Sequence, residues 1–281
     1  MAIFRHREDR LPVALFAAYF AADLWVFATA ESWWFPILWL ILGFIPKGWI
    51  SSWNHHHQHL PFFRPAWANR LLEMMFAFQT GVSSHAWYLH HVVGHHKNYL
   101  DQKLDESRWE RRDGTTMREL EYAAYTAAMA YPVAWRVGKD YPKERMILAS
   151  MLGVHVVLLG LAFGYRPYNA FFVLFLPSLV SLFLTAWATY FHHAGLRTDD
   201  HLEASYNVMH RGYNIATGNL GYHTAHHSRH GMHWSKLPAY HAKIEAGIPQ
   251  NLYRTPGIPF KWSGTEAIVE RPRLPAPLTG H

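Results

Sequence analysis

Four long apolar stretches dominate the pattern of hydrophobic and polar residues along the chain. A helix of about 20 residues rises about 30 Å, which is the thickness of the hydrocarbon core of a bilayer. Formal charges are rare in these stretches, with Asp23 in the first and Lys47 near the end of the second. The pattern therefore predicts four transmembrane helices. The stretches are Leu11–Ala30, Trp33–Ile50, Met146–Tyr165 and Pro167–Phe191.

Two very short connections join these stretches in pairs. Glu31 and Ser32 separate the first two, and the last two meet at Arg166, so each pair predicts a helical hairpin. Arg-rich segments precede the first hairpin and lie between the two hairpins, and such segments favour the cytoplasmic side of a membrane. We expect a multi-pass protein of a bacterial inner membrane, with its N- and C-termini in the cytoplasm.

Two weaker apolar stretches lie between the hairpins. Leu71–Leu89 becomes polar in its second half, and Tyr122–Val137 is short and contains Pro132. We expect both to form helices at the membrane interface or packed against the bundle. The end of the chain is rich in proline, which is typical of an extended segment. The expected organisation is a membrane domain over residues 1–250 and a Pro-rich tail over residues 251–281.

Histidine is the most unusual feature of the composition. The chain has 22 histidines, more than its 20 Asp and Glu residues, and it has no cysteine. The absence of cysteine excludes disulfides, thiolate zinc sites and iron–sulfur clusters. Imidazole is the commonest metal ligand and suits iron, copper, zinc and nickel. The net charge of +6 is compatible with nucleic acid or with an anionic membrane face, and the apolar stretches favour the membrane.

The histidines are concentrated in clusters whose spacing suits metal binding. In the first cluster, His55 and His59 lie four residues apart, so on a helix they share a face and can bind one ion. Two later clusters contain adjacent pairs, and adjacent side chains on a helix diverge by about 100°. Such pairs can reach two ions side by side. The clusters are His55–His59, His90–His96 and His223–His227, and His192 and His193 end the last apolar stretch.

Any single cluster also has a less specific interpretation. A run of histidines can form a polar patch at the membrane interface or line a path for divalent metal ions. Transporters typically carry polar ligands within discontinuous membrane helices, whereas these clusters lie outside the predicted spans. A divalent-metal transporter is therefore the remote alternative to an enzyme. The chain contains no HExxH motif of the kind used by zinc hydrolases.

Together, the clusters resemble the histidine boxes of the membrane fatty acid desaturase and hydroxylase superfamily. The patterns HxxxH, HxxxHH and HxxHH occur in this order after membrane hairpins, and the likeness extends from the first hairpin to about His241. The resemblance implies an all-α integral membrane fold with a cytoplasmic helical cap that holds a di-metal site. It implies nine ligands around two iron ions: His55, His59, His91, His95, His96, His193, His223, His226 and His227.

Two further residues adjoin this ligand set. His193 is our choice over its neighbour His192 for the ligand that follows the last span, and we expect His192 to support the ligands from behind. Acyl-coenzyme A desaturases have an asparagine four residues before this histidine, whereas Thr189 occupies that position here. Asn219, four residues before His223, can give similar support to a ligand through hydrogen bonding.

The resemblance also implies the chemistry. Members of the superfamily use O2 to oxidise an unactivated C–H bond in a long acyl or alkyl chain, and we expect fatty acid desaturation to an alkene. Fatty acid or lipid hydroxylation, and oxidative decarboxylation to a terminal alkene, stay open because the ligand set is shared. We expect no catalytic side chain beyond the ligands. Electrons would come from a separate ferredoxin- or cytochrome-type donor.

Overall fold

The computed structural model describes residues 2–257 and 259–260. Within these residues there is no β-strand, and the few extended pairings are isolated bridges such as Phe4 with Phe63. The long helices are α1 (Arg10–Thr29), α2 (Trp34–His59), α3 (Ala66–Thr80), α4 (Glu119–Val137), α5 (Pro142–Tyr165) and α6 (Pro167–His193). The short ones are α7 (Arg211–Thr217), α8 (His223–Ser228) and α9 (Leu237–Ile244).

Short segments of other helical types complete the described chain. Tyr88–Val93 forms a π-helical turn, and α6 contains a second one at Ala170–Phe175. The 3-10 turns are Arg7–Asp9, Trp234–Lys236, Glu245–Gly247 and Gln250–Leu252.

Four helices are long and apolar enough to cross a membrane. They are Arg7–Thr29, Trp34–His59, Pro142–Tyr165 and Pro167–His193. Large apolar side chains such as Leu11, Trp25 and Val157 are exposed on these helices, which is expected of a surface that contacts lipid. The prediction of an all-α fold with four membrane helices is therefore confirmed, and the chain is a membrane protein.

The apolar stretch Leu71–Leu89 does not form one continuous helix. α3 is followed by Gly81 at φ +71°, a left-handed conformation that glycine adopts without steric cost. A Cβ at this position would overlap the carbonyl oxygen of Ser178 on α6, so close helix packing also requires glycine here. The chain turns at Gly81, and the histidines that follow pack beside the end of α2, with the Nε2 atoms of His55 and His91 2.9 Å apart.

An ion pair joins α1 to α2 within the membrane region. Lys47 Nζ lies 2.6 Å from Asp23 Oδ2, and Trp39 Nε1 donates a hydrogen bond of 2.8 Å to Asp23 Oδ1. The Lys47 and Asp23 side chains are only 2% and 1% exposed. An unpaired charge in this environment is costly, so each side chain compensates the other. The two charges that interrupt the apolar stretches thus have a structural explanation.

Removal of one member of this pair should destabilise the protein. We expect Asp23→Ala to lower the free energy of unfolding by about 3–5 kcal/mol, because Lys47 is left buried without its partner. Thermal unfolding of the protein in detergent micelles measures the change. The double variant Asp23→Leu/Lys47→Met removes both charges and should unfold at a higher temperature than Asp23→Ala. An unfolding temperature for Asp23→Ala equal to that of the wild type would contradict this explanation.

The segment before α1 packs against residues from the far end of the chain. Asp9 is fully buried, and its Oδ1 accepts hydrogen bonds from His233 Nε2 at 3.0 Å and Trp234 Nε1 at 2.8 Å. The Trp234 ring packs against Trp53 of α2, with centroids 4.9 Å apart. The N-terminal segment therefore holds the residues that follow the third histidine cluster against α2, two positions before His55.

The described chain stays packed slightly beyond residue 250. Leu252 and Tyr253 are buried, and Asn207 N donates a hydrogen bond of 2.7 Å to the carbonyl oxygen of Leu252. The division of the chain at residue 250 stays a prediction. The Pro-rich part of the predicted tail, from residue 261 onward, lies outside the described residues.

Candidate metal centre

Four separate segments bring the histidine clusters to one buried region. The last turn of α2 carries the first cluster, and the π-helical turn Tyr88–Val93 with the residues after it carries the second. α6 ends at His193, and α8 begins at His223. π-helical turns are rare and are frequent at functional sites. Histidines that are up to 172 positions apart in sequence, His55 and His227, therefore belong to a single cluster of rings.

The ring nitrogens form two groups, in each of which the candidate ligand atoms lie within 4.8 Å of one another. Group A consists of His55, His59, His91, His96 and His226, and group B consists of His95, His193 and His227. The two adjacent pairs, His95-His96 and His226-His227, are each divided between the groups. The groups are neighbours, since the rings of His96 and His227 stack with centroids 4.1 Å apart. This arrangement is the one that the adjacent pairs predict for two ions side by side.

The spacing of group A fits a metal ion. The Nε2 atom of His55 lies 2.9 Å from the Nε2 atom of His59 and 2.9 Å from that of His91. His96 Nε2 lies 3.0 Å from His91 Nε2 and 3.1 Å from His226 Nε2. Imidazole nitrogen binds an ion such as zinc at about 2.1 Å, so two nitrogens at right angles around one ion are about 3 Å apart. The five side chains thus direct their nitrogens to a common point.

His223 is the predicted ligand that neither group contains. Its Nε2 nevertheless lies 3.0 Å from His193 Nε2 of group B, and its ring centroid is 4.7 Å from that of His227. His192 stacks on the ring of His223 with centroids 3.9 Å apart, so it packs behind this side chain. Thus His193 joins group B, whereas His192 contacts it through His223.

Hydrogen bonds orient two of the group B rings. His95 Nδ1 lies 2.8 Å from Asp105 Oδ1, and His193 Nδ1 lies 2.9 Å from the carbonyl oxygen of Ala204. Both oxygens accept, so each Nδ1 carries a hydrogen, and in the neutral form of each ring Nε2 carries the lone pair that can bind a metal ion. A carboxylate or carbonyl that holds a metal-binding histidine in this way is a common support for metal ligands. Sequence reasoning missed Asp105, because spacing alone does not distinguish it from other acids in the long loop between Val93 and Glu119.

The burial of unpaired nitrogens is the observation that tests whether the residues fit a metal. Within the part of the chain that the structure describes, His95 Nε2 and both ring nitrogens of His227 are buried without a hydrogen-bond partner. Such groups are costly unless something binds them, and a cation at group B would do so. The chemistry of the donors and their positions therefore fit a metal centre.

The protonation of group A supports the same conclusion. Burial, followed by the proximity of other imidazoles, holds the pKa values of His91, His96 and His226 well below the ordinary value for histidine. These rings are therefore neutral near pH 7. Neutral imidazole is the form that binds metal ions.

Other histidines and polar residues near the clusters have structural contacts. His56 Nε2 lies 3.2 Å from the carbonyl oxygen of Thr217, and His57 Nε2 lies 3.3 Å from Glu73 Oε1. These contacts tie the end of α2 to α7 and α3. Asn219 has φ +63°, and its amide donates a hydrogen bond of 3.2 Å to the carbonyl oxygen of Trp234. A supporting role for Asn219 toward a ligand stays a prediction.

An apolar cavity of about 450 Å³ reaches the centre. His55, His91 and His223 contribute to its lining, and from them it follows α2 past Gly48 to Phe44. Side chains of α6 line it as well, so it runs along the interface of these two membrane helices. Its volume lies within the range of small-molecule sites. The cavity therefore connects the histidine rings to the region between the membrane helices.

The four apolar helices and the two adjacent groups of histidines, all buried except the partly buried His59, define an integral-membrane protein with a candidate metal centre. Residues 31–257 match the family model described as fatty acid desaturase, and the chain therefore belongs to the fatty acid desaturase family. The resemblance inferred from the histidine clusters is confirmed. No curated protein and no solved structure matches the chain. Membership of this family implies an oxidoreductase that acts on a lipid or acyl substrate in a membrane.

Proposed function

We propose that the protein is a fatty acid desaturase, which uses O2 to convert a single bond of a long acyl chain into an alkene. The observation that carries this proposal is the apolar cavity that ends at His55, His91 and His223. An enzyme for unactivated C–H bonds needs an apolar channel to the metal, whereas a metal transporter needs a polar path. The cavity favours the enzyme.

Two iron ions are the proposed cofactors. His55, His59, His91, His96 and His226 would hold one ion, and His95, His193, His223 and His227 would hold the other. Bound iron would supply O2 activation, for which imidazole ligands are suitable. Asp105 and the carbonyl oxygen of Ala204 keep His95 and His193 in the orientation and tautomer that direct Nε2 toward group B.

The cavity positions the acyl chain and excludes water from the centre. Ile45 lines the cavity and is 42% exposed, so the cavity extends to the lipid-facing surface, and the substrate would arrive laterally from the bilayer. The rise from His55 to Phe44 along α2 is about 16 Å. An extended alkyl chain advances about 1.25 Å per C–C bond, so about 13 carbons fit along this length. The substrate class is therefore a long-chain acyl group or lipid.

The distribution of charge is what supports the proposed cellular setting. The Arg-rich segments before α1 and between α3 and α5 support a cytoplasmic metal centre and cytoplasmic termini in a bacterial inner membrane. A ferredoxin- or cytochrome-type carrier would deliver the electrons. O2 is the other co-substrate.

Gly48 offers a test of the cavity as the acyl site. A Cβ at Gly48 would meet no heavy atom within 4 Å, so a larger side chain can project into the cavity. The rise from His55 to Gly48 is about 10 Å, or about 8 carbons. We expect Gly48→Phe to lower kcat/KM for longer chains at least about tenfold, with a smaller effect on shorter ones. Rates with acyl chains of graded length measure this.

Gly153 on α5 provides the matched control. A Cβ there also meets nothing within 4 Å, and the residue is exposed outside the cavity lining. Gly153→Phe should therefore leave the chain-length profile unchanged. If Gly48→Phe also leaves the profile unchanged, the acyl chain binds elsewhere.

The proposed function is tested by iron analysis together with product analysis. The purified protein, loaded with iron and given O2, an electron donor and an isotopically labelled fatty acyl substrate, should form an internal alkene. An alcohol, or a terminal alkene with one carbon fewer, would replace desaturation by hydroxylation or decarboxylation. Equal activity with zinc as the only metal would overturn the proposal.

A further inference from the structure

The histidine centre has a second side that the cavity lining does not include. His230 lies there, and its ring centroid is 5.2 Å from that of His96 and 5.8 Å from that of His59. His230 is exposed, whereas His96 is buried. Neighbouring imidazole rings therefore lead from the protein surface, at His230, to His59 and His96 of group A.

The surface around His230 is positively charged. Lys97 and Arg229 are both exposed, and each is adjacent in sequence to one of the two contacting histidines, His96 and His230. Lys97 is close enough to His230 to act on it electrostatically. The Arg229 guanidinium lies over the ring of Tyr240 at 4.9 Å from the centroid, which holds the charge in place. This surface, Lys97 with Arg229 and His230, is referred to as the His230 surface.

A second exposed histidine has a different connection to the centre. His201 is exposed, and its Nδ1 lies 2.5 Å from the hydroxyl oxygen of Tyr99, whose ring is 4.4 Å from that of His227. The route from His201 to group B therefore includes an additional residue. Asp199 and Asp200 precede His201 and are exposed, so its surroundings are acidic. An anionic partner would be attracted to the His230 surface and repelled here.

We propose that the His230 surface is the docking site for an acidic one-electron carrier protein and that electrons enter the centre through His230. The inference rests on the proposed desaturation. O2 takes up four electrons and four protons to form two water molecules. The acyl chain provides two of each, two carrier molecules are oxidised by one electron apiece, and solvent provides two protons. The substrate and the electrons thus approach from different sides of the histidine centre.

The charges in this surface favour a transient, electrostatically guided complex. Electron-transfer partners typically form small interfaces of modest affinity, in which opposite charges accelerate association. Proximity matters because electron tunnelling slows steeply as the donor and acceptor move apart. Only the ring of His230 would separate a carrier docked at this surface from His96 of group A.

The first test measures binding of an acidic plant-type [2Fe–2S] ferredoxin to the full-length protein in nanodiscs of zwitterionic phosphatidylcholine. The double variant Lys97→Glu/Arg229→Glu should raise Kd at least about tenfold at low ionic strength. The difference should shrink in about 0.5 M salt, where exposed charges are screened. Lys103→Glu/Arg112→Glu makes the same charge change at two other exposed positions of the loop and should leave Kd unchanged.

The second test separates electron delivery from the integrity of the centre. His230→Leu should slow anaerobic reduction of the iron-loaded protein by ferredoxin several-fold, while iron content and reduction by dithionite stay unchanged. The proposal is overturned if Lys97→Glu/Arg229→Glu binds ferredoxin like the wild type, or if Lys103→Glu/Arg112→Glu weakens binding as much as Lys97→Glu/Arg229→Glu does. It is equally overturned if a basic cytochrome binds more tightly than ferredoxin. Binding requires no turnover, so this result is independent of whether the enzyme desaturates.

Discussion

His226→Ala should lose iron and catalytic activity together. The side chain is 1% exposed, and its Nε2 lies 3.1 Å from His96 Nε2 within group A. Alanine leaves a neutral, buried gap where a ligand nitrogen was. Loss of residues that merely support a ligand typically costs 10–100-fold, so loss of the ligand should lower turnover by more than about 100-fold. The bound iron should fall by one ion per chain, as measured by elemental analysis.

The control for this variant removes an imidazole outside the centre. His155 lies on α5, and its ring packs against Phe78 with centroids 4.3 Å apart. His155→Ala should therefore keep the wild-type iron content and turnover. Both variants should insert into the membrane, because neither changes the apolar character of the spans. Full activity of His226→Ala would mean that the ligand assignment is wrong.

Asp105→Asn should weaken group B while leaving group A intact. Asp105 Oδ1 accepts a hydrogen bond from His95 Nδ1 and another, at 2.7 Å, from Ser107 N. An asparagine can present its NH2 group to Nδ1 instead, which would move the hydrogen of the ring to Nε2 and remove the lone pair from the metal site. We expect a loss of about 10–100-fold in iron affinity at one of the two sites, with a similar loss of activity.

A neighbouring aspartate provides the control for this variant. Asp101 is exposed, belongs to the same loop, and its Oδ1 accepts a hydrogen bond from Lys103 N. Asp101→Asn should leave both iron ions bound with wild-type affinity. Because Asp105→Asn should lower the iron affinity of only one site, an iron titration of this variant should show two separate binding steps. Unchanged binding in Asp105→Asn would show that the carboxylate does not support a metal ligand.

The membrane architecture could be predicted from local composition. Each span is a nearly continuous apolar stretch. Asp23 and Lys47 each interrupt one stretch, but a stretch with so few charges is still recognised as a membrane span. The break at Gly81 was harder to predict. Gly81 also packs closely against Ser178, almost a hundred positions away in sequence, and local composition does not indicate such a contact.

The candidate metal site could also be predicted only in part from the sequence. The spacing of adjacent histidines indicates that pairs such as His95-His96 diverge toward two ions, because this is a property of helix geometry. The partners that orient the rings are not local in the same way. Asp105 lies in an irregular loop, and Asp9 meets His233 across 224 positions. Only the tertiary structure brings Asp105 to His95 of the histidine centre and Asp9 to His233.

The histidine centre is bordered by the apolar cavity on one side and by the exposed His230 on another. The cavity reaches His55, His91 and His223, whereas the exposed His230 adjoins His59 and His96. Under the two proposals above, substrate and electrons would reach the same cluster of rings without competing for space. The buried contacts of Asp9 and Asp105 keep the supporting segments in place.

X-ray absorption at the iron edge, combined with elemental analysis, reports both the number of iron ions and the atoms bound to them, and so tests whether the histidines hold a pair of irons. We expect two iron ions per chain, surrounded mainly by imidazole nitrogen at about 2.1 Å. His226→Ala and Asp105→Asn should each deplete one of the two ions. A single iron ion per chain, or a coordination sphere composed chiefly of carboxylate oxygen, would mean that the histidines do not form a di-iron centre.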